Sequence, residues 1–268
     1  MDLPAVIAEA TAVLTAAGVP TPGEDARRLV QHVVGAATQV DDPAGVAALV
    51  QRRADREPMQ YLLGRASFRG LTLAVGPGVF VPRAETEQTV QLAIDALAAA
   101  GAHPVGVDLG TGSGAVALAM AAEVPQATVV GVEVALEAFA WAERNARGVD
   151  NVRMLLGDLA DALPERDGAV DVVMSNPPYI PTGMVPREVE VRRHSPAVAL
   201  FGGTDGMDVL RQVSTTARRL LRIGGTLVIE HGEQQAAAVA AILVADGWRD
   251  PATHRDAAGR DRATTARR

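Results

Sequence analysis

Asn176-Pro177-Pro178-Tyr179 follows directly on the apolar run Ala169–Met174 and Ser175. An asparagine side chain offers one amide oxygen as an acceptor. The proline after it has no N–H and a fixed φ, so its carbonyl can be aimed with little reorganisation. Tyr179 adds a flat ring that can pack on a flat group. Together these suit methyl transfer to a planar NH2, on an amide or a nucleobase, whose delocalised lone pair is a poor nucleophile. Two acceptor oxygens on its two N–H bonds would orient the nitrogen and stabilise the positive charge that develops there. No strong base is needed, because the nitrogen proton becomes acidic once the nitrogen is methylated. The same four letters also read as a stiff loop opener.

A second constellation lies upstream. Val105-Gly-Val-Asp-Leu-Gly-Thr-Gly-Ser-Gly-Ala115 is an apolar strand that turns through glycines into a helix. Gly110, Gly112 and Gly114 remove side chains where a cofactor must approach the backbone, and the helix N-terminus offers free N–H groups. Thr111 and Ser113 stand between them. The pattern fits a nucleotide-type cofactor without naming it, and Gly110, Gly112 and Ala115 also satisfy a dinucleotide fingerprint. Glu133 ends the next apolar run, about twenty residues on, where an acid accepts ribose hydroxyls from NAD and S-adenosylmethionine alike. Asp158, followed by Leu159, ends a third run and could meet an adenine amine. In an open α/β sheet such strand ends converge on the ligand. A hydride-transfer site has no evident use for an amide followed by two prolines.

The elements that must position these residues alternate. Strands are expected at 105–109, 128–132, 152–156, 170–174 and 226–230, and helices near 115–122, 136–147, 206–221 and 234–246. Continuous apolar strands alternating with helices predict a doubly wound, mostly parallel sheet covered on both faces. Trp248 and the 262–266 stretch would add edge strands. Upstream, three helical patterns fill residues 3 to about 56, and 86–100 is helical again. Between them 67–75 and 79–81 read as a hairpin turning at Gly76-Pro77-Gly78, which could bridge two domains. The expected division is a helical domain at 1–60, a hairpin linker at 61–82 and a catalytic domain at 83–268.

Composition narrows the classes further. The 268 residues are 48% hydrophobic but only 3% aromatic, so Ala, Val and Leu must fill the core. There is no cysteine, hence no disulfide or thiolate site, and five scattered histidines show no ligand spacing, so no metal is expected. A net charge of −7 disfavours phosphate backbones, and stable nucleic-acid binding is not expected. The first residues lack a basic start, and no apolar run is long enough for a bilayer. A soluble, cytoplasmic monomer is the expectation.

The chain resembles the HemK/PrmC family, the N5-glutamine methyltransferases of peptide chain release factors. The resemblance runs through Glu57-Pro-Met-Gln-Tyr-Leu-Leu-Gly64, Val81-Pro-Arg-Ala-Glu-Thr-Glu87, Asp108-Leu-Gly-Thr-Gly-Ser-Gly114 and Asn176-Pro-Pro-Tyr-Ile180. It continues in Ala199-Leu-Phe-Gly-Gly203, Gly224-Gly-Thr-Leu-Val-Ile-Glu-His-Gly232 and Arg255-Asp-Ala-Ala-Gly-Arg260. The tetrapeptide is shared with adenine and other amino methyltransferases, whereas the Pro-Arg-x-Glu-Thr-Glu and Glu-His-Gly stretches are narrower. The resemblance implies a class I methyltransferase fold behind a small helical domain, with S-adenosylmethionine as donor and the glutamine of a release factor's Gly-Gly-Gln motif as acceptor. It also implies that Gly110 to Gly114 bind the methionine part of the donor, Glu133 the ribose, and Asp158 with Leu159 the adenine. Asn176 to Tyr179 would hold the glutamine amide, with Asn176 also meeting the donor. Glu133 stands where the family more often has Asp, Ala84 where it has Pro, and Ser195 where it often has an acid. Rival readings are another amino methyltransferase, acting on a ribosomal-protein glutamine or adenine, and a cofactor-binding regulatory module without turnover.

Overall fold

A computed structural model of the chain describes residues 1–37 and 39–268. In chain order, helices α1 (Leu3–Ala16), α2 (Pro22–Val34), α3 (Pro43–Ala54) and α4 (Met59–Leu63) come first. Strands β1 (Arg65–Phe68) and β2 (Leu71–Ala74), then α5 (Ala84–Ala98), lead to the alternating part. That part runs β3 (Val105–Leu109), α6 (Ala115–Glu123), β4 (Thr128–Glu133), α7 (Leu136–Asn145), β5 (Val152–Leu156) and β6 (Val170–Ser175). It closes with α8 (Val189–His194), α9 (Asp208–Leu220), β7 (Leu221–Glu230), α10 (Ala236–Ala245), β8 (Arg249–Arg255) and β9 (Asp261–Arg267). Two compact units form. One is Met1–Arg65 with Val75–Pro77 and Val185–Ser195; the other is Ala66–Ala74 with Gly78–Met184 and Pro196–Arg268.

In the first unit α1, α2 and α3 bury Val6, Ala10, Leu14, Leu29, Val30, Val46 and Val50 against one another. Prolines sit in the first turns of all three helices, where a missing N–H costs nothing, and the Asp42 carboxylate caps α3 by accepting from Gly45 N–H at 2.8 Å. Arg53 is buried and pairs with Asp25 at 2.7 Å and with Glu190 of α8 at 3.0 Å. Arg56 grips the same Glu190 through two hydrogen bonds, 2.8 and 2.9 Å. Burial opposes the Glu190 charge, but the Arg56 and Arg53 guanidiniums outweigh it and hold the carboxyl at about 2. This ion cluster ties Val185–Ser195, distant in sequence, to the helices.

The second unit is built on a seven-stranded sheet in the order β5-β4-β3-β6-β7-β9-β8. The first five are parallel; β9 runs antiparallel to both of its neighbours. Side chains alternate across it with period two. Val107, Leu109, Val130, Val132, Val173, Leu227 and Ile229 face α9 and α10, while Val129, Val172, Met174 and Val228 face α5 and α6. Both faces are therefore covered, which is why these strands read as unbroken apolar runs. The expected strands all form; β7 begins earlier, at Leu221, directly from α9.

Two expectations are corrected. The hairpin turns at Arg69-Gly70, both at positive φ (46° and 77°), the backbone a tight two-residue turn needs, and 79–81 is not a strand. The 262–266 stretch is not an edge: β9 lies inside the sheet, and β8 forms the edge after the buried Trp248.

Candidate active site

The order of strands reverses between β3 and β6. From β3 the chain steps outward through β4 to β5, then returns to lay β6 on the other side of β3. The crevice over the carboxyl ends at such a reversal is where ligands bind in open α/β sheets. Gly110–Gly114 follow β3, Glu133 ends β4, and Asn176–Tyr179 follow β6.

The glycine turn is shaped by backbone and by two acids. The N–H groups of Gly110 and Thr111 both donate to Val132 C=O at 2.9 Å, crossing from β3 to β4. Gly110, Gly112 and Gly114 have φ of 77°, 57° and 84°, the left-handed region that a side chain disfavours, and nothing lies within 4 Å of a Cβ built on Gly110 or Gly112. Backbone is thus presented to open space. Beneath it the buried Asp108 carboxylate accepts from Thr111 Oγ1 at 2.5 Å and from Ala117 N–H at 3.2 Å. Burial pushes the Asp108 carboxyl up to about 7 despite those donors. Asn145 of α7 braces the turn from the side, donating to Ser113 C=O at 2.9 Å while pairing with Ala74 of β2 through both N–H and C=O.

Glu133 is buried at the head of β4. Its Oε2 accepts from Gly112 N–H and its Oε1 from Ala135 N–H, both at 2.8 Å. The carboxylate is therefore fixed in place beside the turn. Val134 and Leu136, which follow it, and Leu156 at the end of the neighbouring β5 are large apolar side chains left half to two-thirds exposed. An acid flanked by exposed apolar surface fits a ribose joined to a flat base. Asp158 is turned to a local task, accepting from Ala160 N–H at 2.8 Å to cap a short 3-10 turn that begins at Leu159.

On the other side of the reversal the contacts are made by side chains. Asn176 donates its amide N–H to Thr86 Oγ1 of α5 at 3.2 Å, which turns Oδ1 away from that helix. Thr86 in turn donates to Glu230 Oε1 at the end of β7, at 3.3 Å. Glu230 is buried, its Oε2 has no hydrogen-bond partner among the described residues, and burial pushes its carboxyl up to about 7 against the pull of Thr86 and Arg262. Arg262 of β9 reaches Tyr179 Oη at 3.5 Å and lies 3.6 Å from Asp256. Burial, and then the Glu230 charge, raise the Tyr179 phenol to about 12, so it stays a neutral ring at working pH.

The loop's backbone is clamped by segments distant in sequence. Ile180 N–H donates to Leu200 C=O and Gly202 N–H to Ile180 C=O, at 2.9 and 3.0 Å. A Cβ on Gly202 would lie 2.3 Å from Pro178 C=O, so only glycine allows the approach. Gln235 donates to Tyr179 C=O and accepts from Gly232 N–H, both at 2.8 Å. His231 bonds Gly232 C=O through Nδ1, so Nδ1 carries the proton and Nε2 accepts from Thr264 Oγ1. Burial lowers its pKa, in keeping with a neutral bracing ring.

Thr86, Glu230, Arg262, Asn145 and Gln235 are members of this region that residue-type reasoning did not single out. Thr86 and Glu230 do lie in the Pro-Arg-x-Glu-Thr-Glu and Glu-His-Gly stretches, the one signal that pointed toward them. Glu87, in the same stretch, accepts from Arg69 N–H at 3.1 Å and so holds the hairpin turn, while Arg83 stacks over Phe80 at 5.2 Å.

Residues 103–251 match the family model described as a methyltransferase domain. The release factor glutamine methyltransferase of Streptomyces coelicolor is 46% identical, the match covering 98% of this chain and 97% of that one. That of Mycolicibacterium smegmatis is also 46% identical, over 98% and 96%. The chain belongs to the release factor glutamine methyltransferase family. A 4-amino-L-phenylalanine/4-methylamino-L-phenylalanine methyltransferase of Streptomyces pristinaespiralis is 41% identical over 89% of this chain and 86% of its own. Among solved structures, the hMettl16 catalytic domain superposes with a TM-score of 0.59 at 16% identity, covering 82% of this chain and 81% of that one. A ribosomal protein L11 methylase from Lactobacillus delbrueckii gives 0.52 at 19%, over 72% and 83%. Both share the class I methyltransferase fold. No described helix is long and apolar enough to cross a membrane.

Proposed function

We propose that the chain transfers a methyl group from S-adenosylmethionine to the side-chain amide nitrogen of the glutamine in the Gly-Gly-Gln motif of a peptide chain release factor. The observation that carries the chemistry is the Asn176 amide, its nitrogen committed to Thr86 and its oxygen turned away, at the reversal of strand order beside the glycine turn. The near full-length identity to release factor glutamine methyltransferases supports the acceptor.

S-adenosylmethionine, when bound, supplies an electrophilic methyl group on a sulfonium centre and keeps the electron pair of the broken C–S bond. Gly110, Thr111, Gly112, Ser113 and Gly114 hold its amino-acid end by backbone, Glu133 takes the ribose hydroxyls, and Asp158 with Leu159 flanks the adenine. Asn176 Oδ1 and the Pro177 carbonyl accept the two N–H bonds of the glutamine amide, which holds the face of its nitrogen toward the donor. Positive charge building on that nitrogen is met by two fixed oxygens that need no reorganisation. Pro178 and Tyr179 wall the pocket, the neutral Tyr179 ring packing on the flat amide. The proton passes from the methylated nitrogen to solvent once the new C–N bond has formed, so no side chain has to be a strong base. On this reading residues 83–268 carry the chemistry, residues 1–60 form a separate helical domain, and the chain works as a cytoplasmic monomer.

The planar NH2 of an arylamine poses the same problem as an amide, and the 4-amino-L-phenylalanine enzyme makes it the natural competitor. Purified chain with labelled donor should be offered a release factor, a ribosomal protein, DNA and free 4-amino-L-phenylalanine in parallel. Label in the release factor alone is expected. Label in the free amino acid, the ribosomal protein or DNA with none in the release factor would overturn the acceptor assignment.

A further inference from the structure

The two ends of an asparagine amide are nearly the same size, so packing does not decide which of them faces the substrate. Hydrogen bonding decides it. If Asn176 presented its NH2 to a substrate NH2, two donors would meet and the proposed grip would be lost. Something in the fold must therefore choose.

Thr86 alone cannot, because a hydroxyl donates and accepts equally well. Glu230 can. As a carboxylate its Oε1, 3.3 Å from Thr86 Oγ1, only accepts, so the hydroxyl proton points at Glu230. What remains toward Asn176 is a lone pair, and that lone pair selects the amide nitrogen, which donates to it at 3.2 Å. The choice belongs to the carboxylate form: with Oε2 unpartnered, a proton on Glu230 is best placed on Oε1, where it would donate to Thr86 and reverse the relay. Thr86 and Glu230 are both buried, 5% and 1% exposed, so water does not compete for the hydroxyl. Arg262, Tyr179 and Glu85 are the charged or titratable groups that act on Glu230 from β9, the loop and α5.

We propose that Thr86, directed by Glu230, is a positioning residue: it sets the Asn176 amide with its oxygen toward the substrate, and so makes Asn176 an acceptor. The inference rests on the reading of Asn176 given above, and it assigns Thr86 and Glu230 no contact with substrate or donor.

Thr86→Val keeps the shape and removes the hydroxyl, and Thr86→Ser restores it. Thr86→Val should slow kcat by about tenfold or more, with the KM for the release factor and the donor Kd little changed, since a fixed polar contact is used in the transition state. Thr86→Ser should recover most of the rate. In an Asn176→Ala background, Thr86→Val should cost almost nothing further, because the residue it positions is gone. A merely structural role would instead raise KM or slow both backgrounds by the same factor, and either result overturns the proposal.

A readout without turnover keeps the proposal testable if Thr86→Val fails to fold. In NMR spectra of the wild-type full chain, the Asn176 side-chain NH2 protons, assigned by their loss in Asn176→Ala, should show a nuclear Overhauser effect to the Thr86 methyl group. Absence of that contact from otherwise resolved signals would sink the proposal. The same spectrum separates it from the acceptor assignment: a chain that methylates no release factor but shows the contact has lost its substrate reading, not its amide orientation.

Discussion

The two sides of the strand reversal are built from different materials. On the β3–β4 side, Gly110, Thr111 and Gly112 are fixed by bonds between backbone groups and carboxylates no more than about two dozen residues away in sequence. On the β6–β7 side, Asn176 depends on Thr86, 90 residues distant, which depends on Glu230, 144 residues further on. The first side is a turn held by the neighbouring strand β4 and by α7. The second exists only once α5, β6, β7 and β9 have all packed. Local backbone geometry suits a common cofactor, whereas a side-chain assembly can be tuned to one acceptor group.

That division predicts separable losses, and the largest falls on the β6 side. Asn176→Ala should reduce turnover by about a hundred- to a thousandfold, the usual cost of one preorganised contact to developing charge. Single-turnover rates at saturating donor and acceptor check this, with the release-factor Kd measured separately and expected to move much less. A comparable loss of acceptor affinity would mean that Asn176 binds the ground state instead.

Next comes Glu133→Ala, which should weaken donor binding by about ten- to a hundredfold, as expected for one charge-assisted hydrogen bond. It also leaves Gly112 and Ala135 N–H without their partner, so the turn itself should loosen. Calorimetric titration reads the affinity. Unchanged affinity in a folded variant would remove Glu133 from the donor site and blur the distinction between the two sides.

A smaller effect concerns pH. Burial raises the Asp108 and Glu230 carboxyls to about 7 in the folded chain, above their unfolded values. Below the unfolded pKa both states hold the proton; between the unfolded and folded pKa only the folded chain does, so stability falls as pH rises from about 4 to about 7. Glu230→Gln removes one of these groups. Relative to that variant, the wild type should gain up to about 2–3 kcal/mol on going from pH 8 to pH 5, at roughly 1.4 kcal/mol per pKa unit. Urea midpoints at the two pH values test it. A wild type that loses stability relative to Glu230→Gln over that interval would show that Glu230 is held as a carboxylate.

Pro177→Ala should do least, slowing turnover by only about two- to fivefold, because the carbonyl remains and only its preset φ is lost. A loss as large as that of Asn176→Ala would show that the rigidity of the loop, rather than its acceptors, dominates.

The same contrast explains what the sequence disclosed. Glycines 110, 112 and 114 and the acid at 133 are legible because their spacing is the geometry: one strand, one turn, one helix. The apolar runs at 105–109 and 170–174 are legible because both sheet faces are covered. Gly76-Pro77-Gly78 carries a stronger turn signal than Arg69-Gly70, whereas the true turn is held by Glu87 and Asn145 gripping the strands from outside. Glu190 gave no hint that it would join Arg53 and Arg56, since an ion pair between residues 137 and 134 apart has no local period. Thr86 and Glu230 stood in quoted stretches, yet nothing in their spacing said that they meet behind Asn176.

The most direct test of the claim that the β6 strand end selects a planar amide nitrogen is the position of the methyl group. Release factor incubated with the wild-type chain and S-adenosylmethionine should be digested and fragmented by mass spectrometry. One methyl on the side-chain nitrogen of the Gly-Gly-Gln glutamine is the predicted result. A methyl on a carboxylate, a hydroxyl or a lysine amine, with that glutamine unmodified, would contradict the account.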